Sequence, residues 1–399
     1  MKSGEKSKIL VTCPKAIPPL LAEEIRALGL PVLRQLPAGV ETEGGFEDCL
    51  KLNLWLRTGH RVLRLIKTFP ARNADELYAE VLQIPWEKHI REDGYLSVMS
   101  SVENTTIRDT RFASLRCKDA IVDRISKECG RRPDSGPLCE GVVIFLYWRQ
   151  NECAIYFDTS GEPLSKRGYR KIPLQAPMQE TLAAAVVLTS RWRGEINFVN
   201  PMCGSGTLAI EAALIGLRRA PGLTRRNFAF MHLKEFDARA WETLRKDAES
   251  AAAGSLPGKI IATDIEEGAV QAARQNAAMA GVETFIDWAA CDFAQTVVPA
   301  GGGVVVFNPE YGERLGDTQS LVRVYRRIGD FLKKSCRGYT GYVFTGNPKL
   351  FNKVGLKPSR ELTFFNSNIE CRLLEFELYS GTKGGTAVQG PKSKVQGNQ

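Results

Sequence analysis

From about residue 165 onward, the sequence alternates short β-branched runs with alanine-rich helical runs, and this alternation limits the fold more than any other feature. Each pair of runs is typical of a strand followed by a crossover helix, which makes neighbouring strands parallel. The last two apolar runs have no helix between them, so the final strand is expected to be antiparallel. The pattern predicts an α/β fold with a mostly parallel seven-stranded sheet covered by helices on both faces. The predicted strands are 196–200, 259–265, 284–292, 302–309, 338–346, 361–366 and 371–379, and the predicted helices are 176–192, 206–216, 266–281, 318–335 and 348–355.

The chain before residue 161 shows two smaller α+β patterns, 1–60 and 61–160, which predict a separate N-terminal half. In the second pattern, the apolar runs 141–148 and 152–160 flank a short polar turn, as in a β-hairpin. Residues 161–380 hold the strand–helix alternation. The tail 381–399 has almost no apolar residues and is expected to be disordered.

The charge balance favours a polyanionic partner, because 54 Lys and Arg residues against 45 Asp and Glu residues leave a net charge of +9. No apolar run approaches the ~18–20 residues of a membrane span, and the N-terminus lacks the apolar core of a signal peptide. We therefore expect a cytoplasmic protein with no membrane partner. The ten cysteines are spaced singly and the three histidines have no metal-ligand spacing, so no metal site is expected.

A glycine-rich loop, Cys203-Gly204-Ser205-Gly206, joins the first strand of the alternation to the next helix. Such a loop presents backbone N–H groups to a ligand. A phosphate-binding P-loop is excluded because no lysine follows the last glycine. The loop formally fits a dinucleotide fingerprint, but the acidic residue expected ~20 residues later is missing.

Acidic residues nevertheless close the next two predicted strands. Asp264 ends the second strand, where a carboxylate can bind the ribose hydroxyls of an adenosine-type cofactor. Asp292 ends the third strand and could accept a hydrogen bond from an adenine amino group. Each aspartate alone could instead be a turn former or a helix cap. Three loops at three successive strand ends favour one nucleotide-type cofactor.

The fourth strand ends in Asn308-Pro309-Glu310-Tyr311. The Asn308 side-chain oxygen and the Pro309 carbonyl are two acceptors, and Tyr311 offers a flat face on which a ring can stack. This combination suits a planar base with an exocyclic amine that has left its stack. The alternative is a simple Asn-Pro turn. Guanine, adenine and cytosine all carry such an amine, and these residues do not choose among them.

These motifs resemble those of class I S-adenosylmethionine-dependent methyltransferases with a Rossmann-like fold. More closely, residues 8–380 are similar to the THUMP-containing RNA guanine-N2 methyltransferases that act on large-subunit ribosomal RNA. The resemblance implies a ferredoxin-like subdomain at 1–60, a THUMP RNA-binding domain at 61–160 and a methyltransferase domain at 161–380. It also implies S-adenosylmethionine as cofactor and guanine N2 of 23S rRNA as target. A tRNA substrate, or an RNA-binding protein with weakened catalysis, remains an alternative.

The resemblance also assigns roles to individual residues. The methionine part of the cofactor would lie among the loop residues, the ribose near the second strand end, the adenine near the third, and the target amine at the fourth. The implied cofactor-binding residues are Asn200, Pro201, Cys203, Gly204, Ser205, Gly206, Asp264, Ile265, Asp292, Phe293 and Asn308, and the implied catalytic residues are Asn308, Pro309 and Tyr311.

Two positions depart from the family pattern. Glu310 stands where the family usually has a second proline, and Ser165 stands where it often has a histidine. Proline would stiffen the loop through its fixed φ. Glutamate could help remove the proton released on methylation, could weaken the site, or could face solvent without a role. Because the other loops are intact, we expect activity to be retained.

Basic residues in two segments are candidates for contacts with RNA phosphates. One segment is a predicted helix after residue 108, and the other joins the two halves of the chain. A solvated surface is the alternative explanation for each. The predicted RNA-binding residues are Arg111, Arg116, Lys118, Lys166, Arg167, Tyr169 and Arg170. The partner is expected to be ribosomal RNA or tRNA, and the sequence gives no indication of oligomeric state.

Overall fold

The computed structural model describes residues 5–104, 109–172, 178–310 and 318–379. The described part of the N-terminal half contains β1 (Ser7–Thr12), α1 (Pro18–Ala27), β2 (Val32–Leu36), β3 (Gly39–Gly44), α2 (Phe46–Trp55), β4 (Arg61–Pro70), α3 (Ala74–Leu82), β5 (Tyr95–Glu103), α4 (Thr110–Cys129), β6 (Asp134–Ser135), β7 (Val142–Arg149) and β8 (Glu152–Asp158). These strands form one sheet in the order β2-β3-β1-β4-β8-β7-β5-β6.

The sheet of the N-terminal half continues across the predicted boundary at residue 60. Strand β1 pairs antiparallel with both β3 and β4, so the two small α+β units share their hydrogen-bond ladder. The expected hairpin is present: β7 and β8 pair antiparallel, and Gln150 at the turn has a positive φ of 51°. The division at 60 and 160 into separate domains stays a prediction.

The C-terminal half confirms the predicted α/β alternation. Its elements are α5 (Glu180–Thr189), β9 (Asn197–Pro201), α6 (Thr207–Gly216), α7 (Ala238–Ser250), β10 (Ile260–Asp264), α8 (Glu267–Met279), β11 (Ile286–Ala290), β12 (Gly303–Phe307), α9 (Thr318–Ser335), β13 (Tyr339–Thr345), α10 (Pro348–Phe351), β14 (Arg360–Asn366) and β15 (Ile369–Glu377). Over the described residues the sheet has seven strands in the order β11-β10-β9-β12-β13-β15-β14. Strands β9 to β13 are parallel, and the final strand β15 is antiparallel to both of its neighbours, as expected.

Helix α6 connects the two halves through its packing. Every residue from Thr207 to Ile215 is buried, because the helix is apolar around its whole circumference except at Glu211. It packs beside α5, and its apolar residues belong to the same hydrophobic core as residues of the N-terminal half. The helix that starts at the glycine-rich loop is therefore held by both halves. In the part of the chain that is described, no helix has the length and apolar character to cross a membrane.

Candidate active site

Four strand ends bring the predicted site residues to one edge of the sheet. Strands β11, β10, β9 and β12 are adjacent and parallel, so their carboxyl ends lie side by side. Hydrogen bonds tie these ends together. The backbone N–H of Cys203 donates to the Thr263 carbonyl at 2.9 Å, and that of Cys291 donates to the Asp264 carbonyl at 2.9 Å. A crevice at this edge is where open α/β sheets bind their ligands.

The loop between β9 and α6 has the backbone that its glycines predict. Met202, Gly204 and Gly206 have φ values of 58°, 53° and 80°. A methyl group at Gly204 would meet nothing within 4 Å, so this residue faces open space. A methyl group at Gly206 would lie 2.8 Å from the Cβ of Ala273 in α8, so this residue is needed for close packing. The two glycines therefore serve different purposes. Gly204 leaves the space beside the loop open, and Gly206 allows close packing against α8.

Asp264 lies directly against this loop. Its Oδ2 accepts the backbone N–H of Gly204 at 2.9 Å, and its Oδ1 accepts that of Glu266 at 3.1 Å. A carboxylate has about four lone-pair positions, so acceptor capacity remains for a ligand. The neighbouring Ile265 is 66% exposed, an unusual surface position for a large apolar side chain. The two residues offer an acceptor and an apolar surface at the second strand end.

Asp292 has a cationic partner that the sequence analysis did not assign to it. Nη2 of Arg327 in α9 lies 2.7 Å from each carboxylate oxygen, and the Ala294 N–H donates to Oδ1 at 2.9 Å. The Arg327 hydrogen bond holds the pKa of Asp292 below its usual value. The same guanidinium lies 4.8 Å from the ring centre of Phe293, which is buried. Asp292 is therefore ionised and oriented, with one acceptor position on Oδ2 still free.

Two asparagine side chains at the ends of β9 and β12 have unused acceptors. Asn200 donates through Nδ2 to the Val306 carbonyl at 2.9 Å. Its Oδ1 and the Oδ1 of Asn308 are buried, and neither has a hydrogen-bond partner among the described residues. A buried acceptor without a donor costs about 1–3 kcal/mol. The site therefore fits a ligand that brings N–H or O–H donors.

The remaining site residues complete this edge. Pro201 and Pro309 are buried, and Glu310 is exposed. The Ser205 hydroxyl lies 3.3 Å from the Thr207 hydroxyl. Burial raises the pKa of the Cys203 thiol far above its ordinary value, so this cysteine is a poor thiolate nucleophile. Tyr311 lies outside the described residues. Among those that are described, no cluster of three His, Cys, Asp or Glu side chains could hold a metal ion.

The structure corrects the prediction that Arg167 and Tyr169 contact RNA. Both side chains are buried and bind Glu211 of α6, with Arg167 Nε at 2.7 Å and the Tyr169 hydroxyl at 3.0 Å from its Oε1. Arg170 is also mostly buried, and donates to the Met178 carbonyl and the Thr207 hydroxyl. These contacts hold the linker (residues 166–172) against the protein, and the buried Arg167 and Tyr169 side chains are not accessible to phosphate.

The other predicted RNA contacts lie at the surface but have acidic neighbours. Arg111 at the start of α4 is 87% exposed and pairs with Asp109. Arg116 pairs with Asp75 and lies 4.2 Å from the Tyr78 ring centre, while Lys118 pairs with Asp119 and Lys166 with Glu162. Exposed pairs of this kind contribute little to stability, so their cations can exchange to a phosphate.

Two polar residues on apolar helix faces were not among the predicted site residues. Asn276 lies on the buried face of α8 among alanines, and Glu211 is the acidic residue of the largely apolar α6. Both are fully buried and hydrogen-bonded, and both contact the linker. The sequence does contain a signal for both residues. Each is a lone polar side chain in an otherwise apolar helix stripe, and a buried polar side chain needs a hydrogen-bond partner.

Three family models match successive parts of the chain. They describe an RlmL ferredoxin-like domain at residues 8–63, a THUMP domain at 71–158 and an RMKL-like methyltransferase domain at 167–375. Among curated relatives, the ribosomal RNA large subunit methyltransferase K/L of Syntrophotalea carbinolica is 38% identical over 97% of this chain. That of Psychromonas ingrahamii is 35% identical over 91% of this chain. The chain spans only 56% and 49% of the lengths of these two relatives.

Other relatives match over nearly their whole length. The protein slr0064 of Synechocystis sp. is 33% identical, and the match covers 92% of this chain and 96% of that protein. The crystal structure of SMU.472, which was solved with S-adenosylhomocysteine, aligns with a TM-score of 0.85 and 28% identity over 95% of this chain and 99% of that one. TrmN from Thermus thermophilus, with a TM-score of 0.68 and 19% identity over 94% of this chain and all of that one, shares the fold. This chain therefore belongs to the RMKL-like methyltransferase family, with a ferredoxin-like domain of the RlmL type and a THUMP domain before the methyltransferase domain.

Proposed function

We propose that this chain transfers a methyl group from S-adenosylmethionine to the N2 amine of a guanine in 23S rRNA. The observation that carries the proposal is the buried Oδ1 of Asn308, which has no hydrogen-bond partner among the described residues and lies at the end of β12, one strand away from the glycine-rich loop. It is supported by relatives named as large-subunit ribosomal RNA methyltransferases and by the S-adenosylhomocysteine complex of SMU.472. A ribosomal RNA substrate also implies action in the cytoplasm.

The residues of the strand edge fit the cofactor. The methionine part would lie against the open side of Gly204, with Asn200, Pro201, Cys203, Ser205 and Gly206 around it. The ribose hydroxyls would donate to Asp264 beside Ile265. The adenine would lie beside Asp292 and Phe293. Its amino group would donate a hydrogen bond to the acceptor position that remains on Asp292 Oδ2. When bound, this cofactor supplies an electrophilic methyl group on a positively charged sulfur.

The chain's own contribution to the chemistry is orientation. Asn308 Oδ1 and the Pro309 carbonyl accept hydrogen bonds from the two N–H groups of the target amine, and the predicted role of Tyr311 is to stack on the base. The nitrogen lone pair then faces the cofactor, and such alignment accounts for much of a rate enhancement. The nitrogen gains the methyl group, S-adenosylhomocysteine is left, and the nitrogen loses one proton to water, directly or through Glu310. The raised pKa of Cys203 and the nature of the target, an amine, both argue against a covalent enzyme intermediate.

The N-terminal half would capture the RNA. Its cations on α4, the exposed Arg111 and the half-buried Arg116 and Lys118, suit phosphate contacts, as does Lys166 of the linker. Lys166 lies in a cleft of about 770 Å³ between the two halves. The cleft is lined in part by Leu138, Lys166, Lys171, Arg226, Asn227 and Met279. Its basic and apolar side chains suit a single-stranded RNA segment, with phosphates on the cations and bases on the apolar groups.

Nucleoside analysis tests the proposal. The protein is incubated with labelled S-adenosylmethionine and unmodified 23S rRNA or tRNA, and each RNA is digested to nucleosides. We expect label on N2-methylguanosine from 23S rRNA. Label only in tRNA would overturn the rRNA assignment, and label on methylated adenosine or cytidine would overturn the guanine assignment. RNA binding without any transfer would support a binding protein that has lost catalysis.

A further inference from the structure

The linker between the two halves is bound directly to the glycine-rich loop. Arg170 Nη2 donates to the Thr207 hydroxyl at 3.1 Å, and Thr207 is the first residue of α6 after that loop. The same nitrogen donates to the Met178 carbonyl at 2.6 Å and lies 3.4 Å from a carboxylate oxygen of Glu180. Arg170 thus joins the linker, the start of α5 and the start of α6.

Asn276 forms the second connection. Its Oδ1 accepts the backbone N–H groups of Lys171 and Ile172 at 3.0 and 3.2 Å. Its Nδ2 donates to the carbonyls of Ile172 and Ser205 at 3.2 and 3.3 Å. An amide side chain has two donor hydrogens and two acceptor lone pairs, and all four are used here. One fully buried side chain therefore fastens the linker to the middle of the glycine-rich loop.

The other end of the linker is fixed to the N-terminal half. The buried Arg167 binds Glu211 of α6 and also donates to the Arg57 carbonyl at 2.7 Å. The Arg57 and Thr58 backbone N–H groups donate to the half-buried carboxylate of Glu24 in α1, at 2.8 and 3.0 Å. Polar contacts thus run from α1 to one end of the linker, and from the other end of the linker to the glycine-rich loop.

We propose that Arg170 and Asn276 are positioning residues that hold this loop in its cofactor-binding form and connect it to the position of the RNA-capturing half. The inference rests on the proposed placement of the cofactor at the loop. Neither side chain needs to touch the cofactor or RNA, because each acts through the backbone of Ser205 or the hydroxyl of Thr207. The role assigned to Arg170 therefore differs from the phosphate contact expected from its charge.

Binding measurements on the full chain test the proposal without methyl transfer. Asn276→Asp has nearly the same shape and keeps the two acceptors, but it loses both donors and places a carboxylate beside two carbonyls. Titration calorimetry should show S-adenosylhomocysteine binding weakened by about tenfold or more, the effect of losing buried hydrogen bonds. Affinity for 23S rRNA should change by less than about twofold. Gln275→Ala, at the exposed neighbouring position of α8, is the matched control and should change neither affinity.

A second pair of variants keeps the test decisive if Asn276→Asp folds poorly. Arg170→Ala should weaken S-adenosylhomocysteine binding about tenfold. Arg170→Lys, which keeps the charge near Glu180, should recover part of that loss. Cofactor affinity unchanged in well-folded Arg170→Ala would overturn the proposal. So would a loss confined to RNA affinity, which would mark Arg170 as an RNA contact. A wild-type chain that binds no S-adenosylhomocysteine would instead refute the proposed cofactor site.

Discussion

At the residue scale, the Asp264 carboxylate has two tasks, because it accepts the Gly204 N–H and has acceptor capacity left for a ligand. Asp264→Ala should weaken S-adenosylmethionine binding by about 1.5–3 kcal/mol, since hydrogen bonds to a charged group are lost. Asp264→Asn keeps one acceptor oxygen and should lose less. Calorimetric titration measures both. Undiminished affinity in Asp264→Ala would remove this residue from the site.

Glu310 is a second residue whose role can be tested. It is exposed, and it stands where the family resemblance leads us to expect a second proline. If it assists proton removal, Glu310→Gln should lower turnover by about 10²-fold. If it only replaces a stiffening residue, Glu310→Pro should turn over at least as fast as the wild type. Steady-state rates across pH separate the two. Equal turnover in both variants would assign Glu310 to solvent without a catalytic role.

At the element scale, the glycine-rich loop allows a test with its own control. Gly206→Ala places a methyl group 2.8 Å from Ala273 at a φ of 80°, so we expect a loss of about 2–3 kcal/mol in unfolding free energy. Gly204→Ala meets no neighbour and should lose about 1 kcal/mol from its backbone alone. Denaturant titration and S-adenosylhomocysteine binding are measured for both.

The two glycine variants should separate stability from binding. Because Gly204 faces the proposed cofactor position, Gly204→Ala should lose more affinity per unit of lost stability than Gly206→Ala. If Gly204→Ala binds S-adenosylhomocysteine as well as the wild type, the methionine part does not lie against that side of the loop.

The strands around the site were predictable from the sequence because each one is specified by the residues of its own segment. Apolar runs that end in Asn200, Asp264, Asp292 and Asn308 specify parallel strands, and parallel strands bring their carboxyl ends to one edge. The linker was not predictable in the same way. Whether Arg167 is exposed depends on Glu211, which is 44 residues later in the sequence and inside a helix. Charge patterns report composition along the chain, whereas burial depends on contacts between distant segments.

At the scale of the whole molecule, the two halves share a hydrophobic core, and a half-buried histidine lies near their contact. Nε2 of His60, just before β4, lies 2.9 Å from the Thr181 hydroxyl in α5. Burial, with help from Arg61 and Arg167, lowers the pKa of His60 from 6.5 to about 4. The folded protein therefore binds this proton less readily than the unfolded chain does.

The His60 pKa gives stability a defined pH dependence. Its contribution is complete above the unfolded pKa and decreases as pH falls from about 6.5 toward 4, with about 2 kcal/mol lost by pH 5. His60→Gln keeps a polar group near Thr181 and should remove this part of the dependence. Denaturant titrations of both proteins at pH 7.5, 6 and 5 provide the comparison. Parallel stability curves for the two proteins would contradict the lowered pKa.

The contacts that join the three predicted segments of the chain were the least predictable feature of the molecule. The sequence divides into three patterns, yet β1 and β4 pair across the first boundary, and residues 167–172 are fixed to both halves. The periodicity of apolar residues records only which face of each strand is buried. It therefore does not reveal which strand of an adjacent segment pairs with it.

The decisive measurement is single-turnover methyl transfer to unmodified 23S rRNA, with labelled S-adenosylmethionine and protein in excess, by the wild type and by Asn308→Ala. We expect label on N2-methylguanosine with the wild type. We expect a rate at least about 10²-fold lower in the variant, with RNA affinity retained, because orientation of the amine is lost. Equal rates in the two proteins, or a wild type that binds both ligands and transfers nothing, would contradict it.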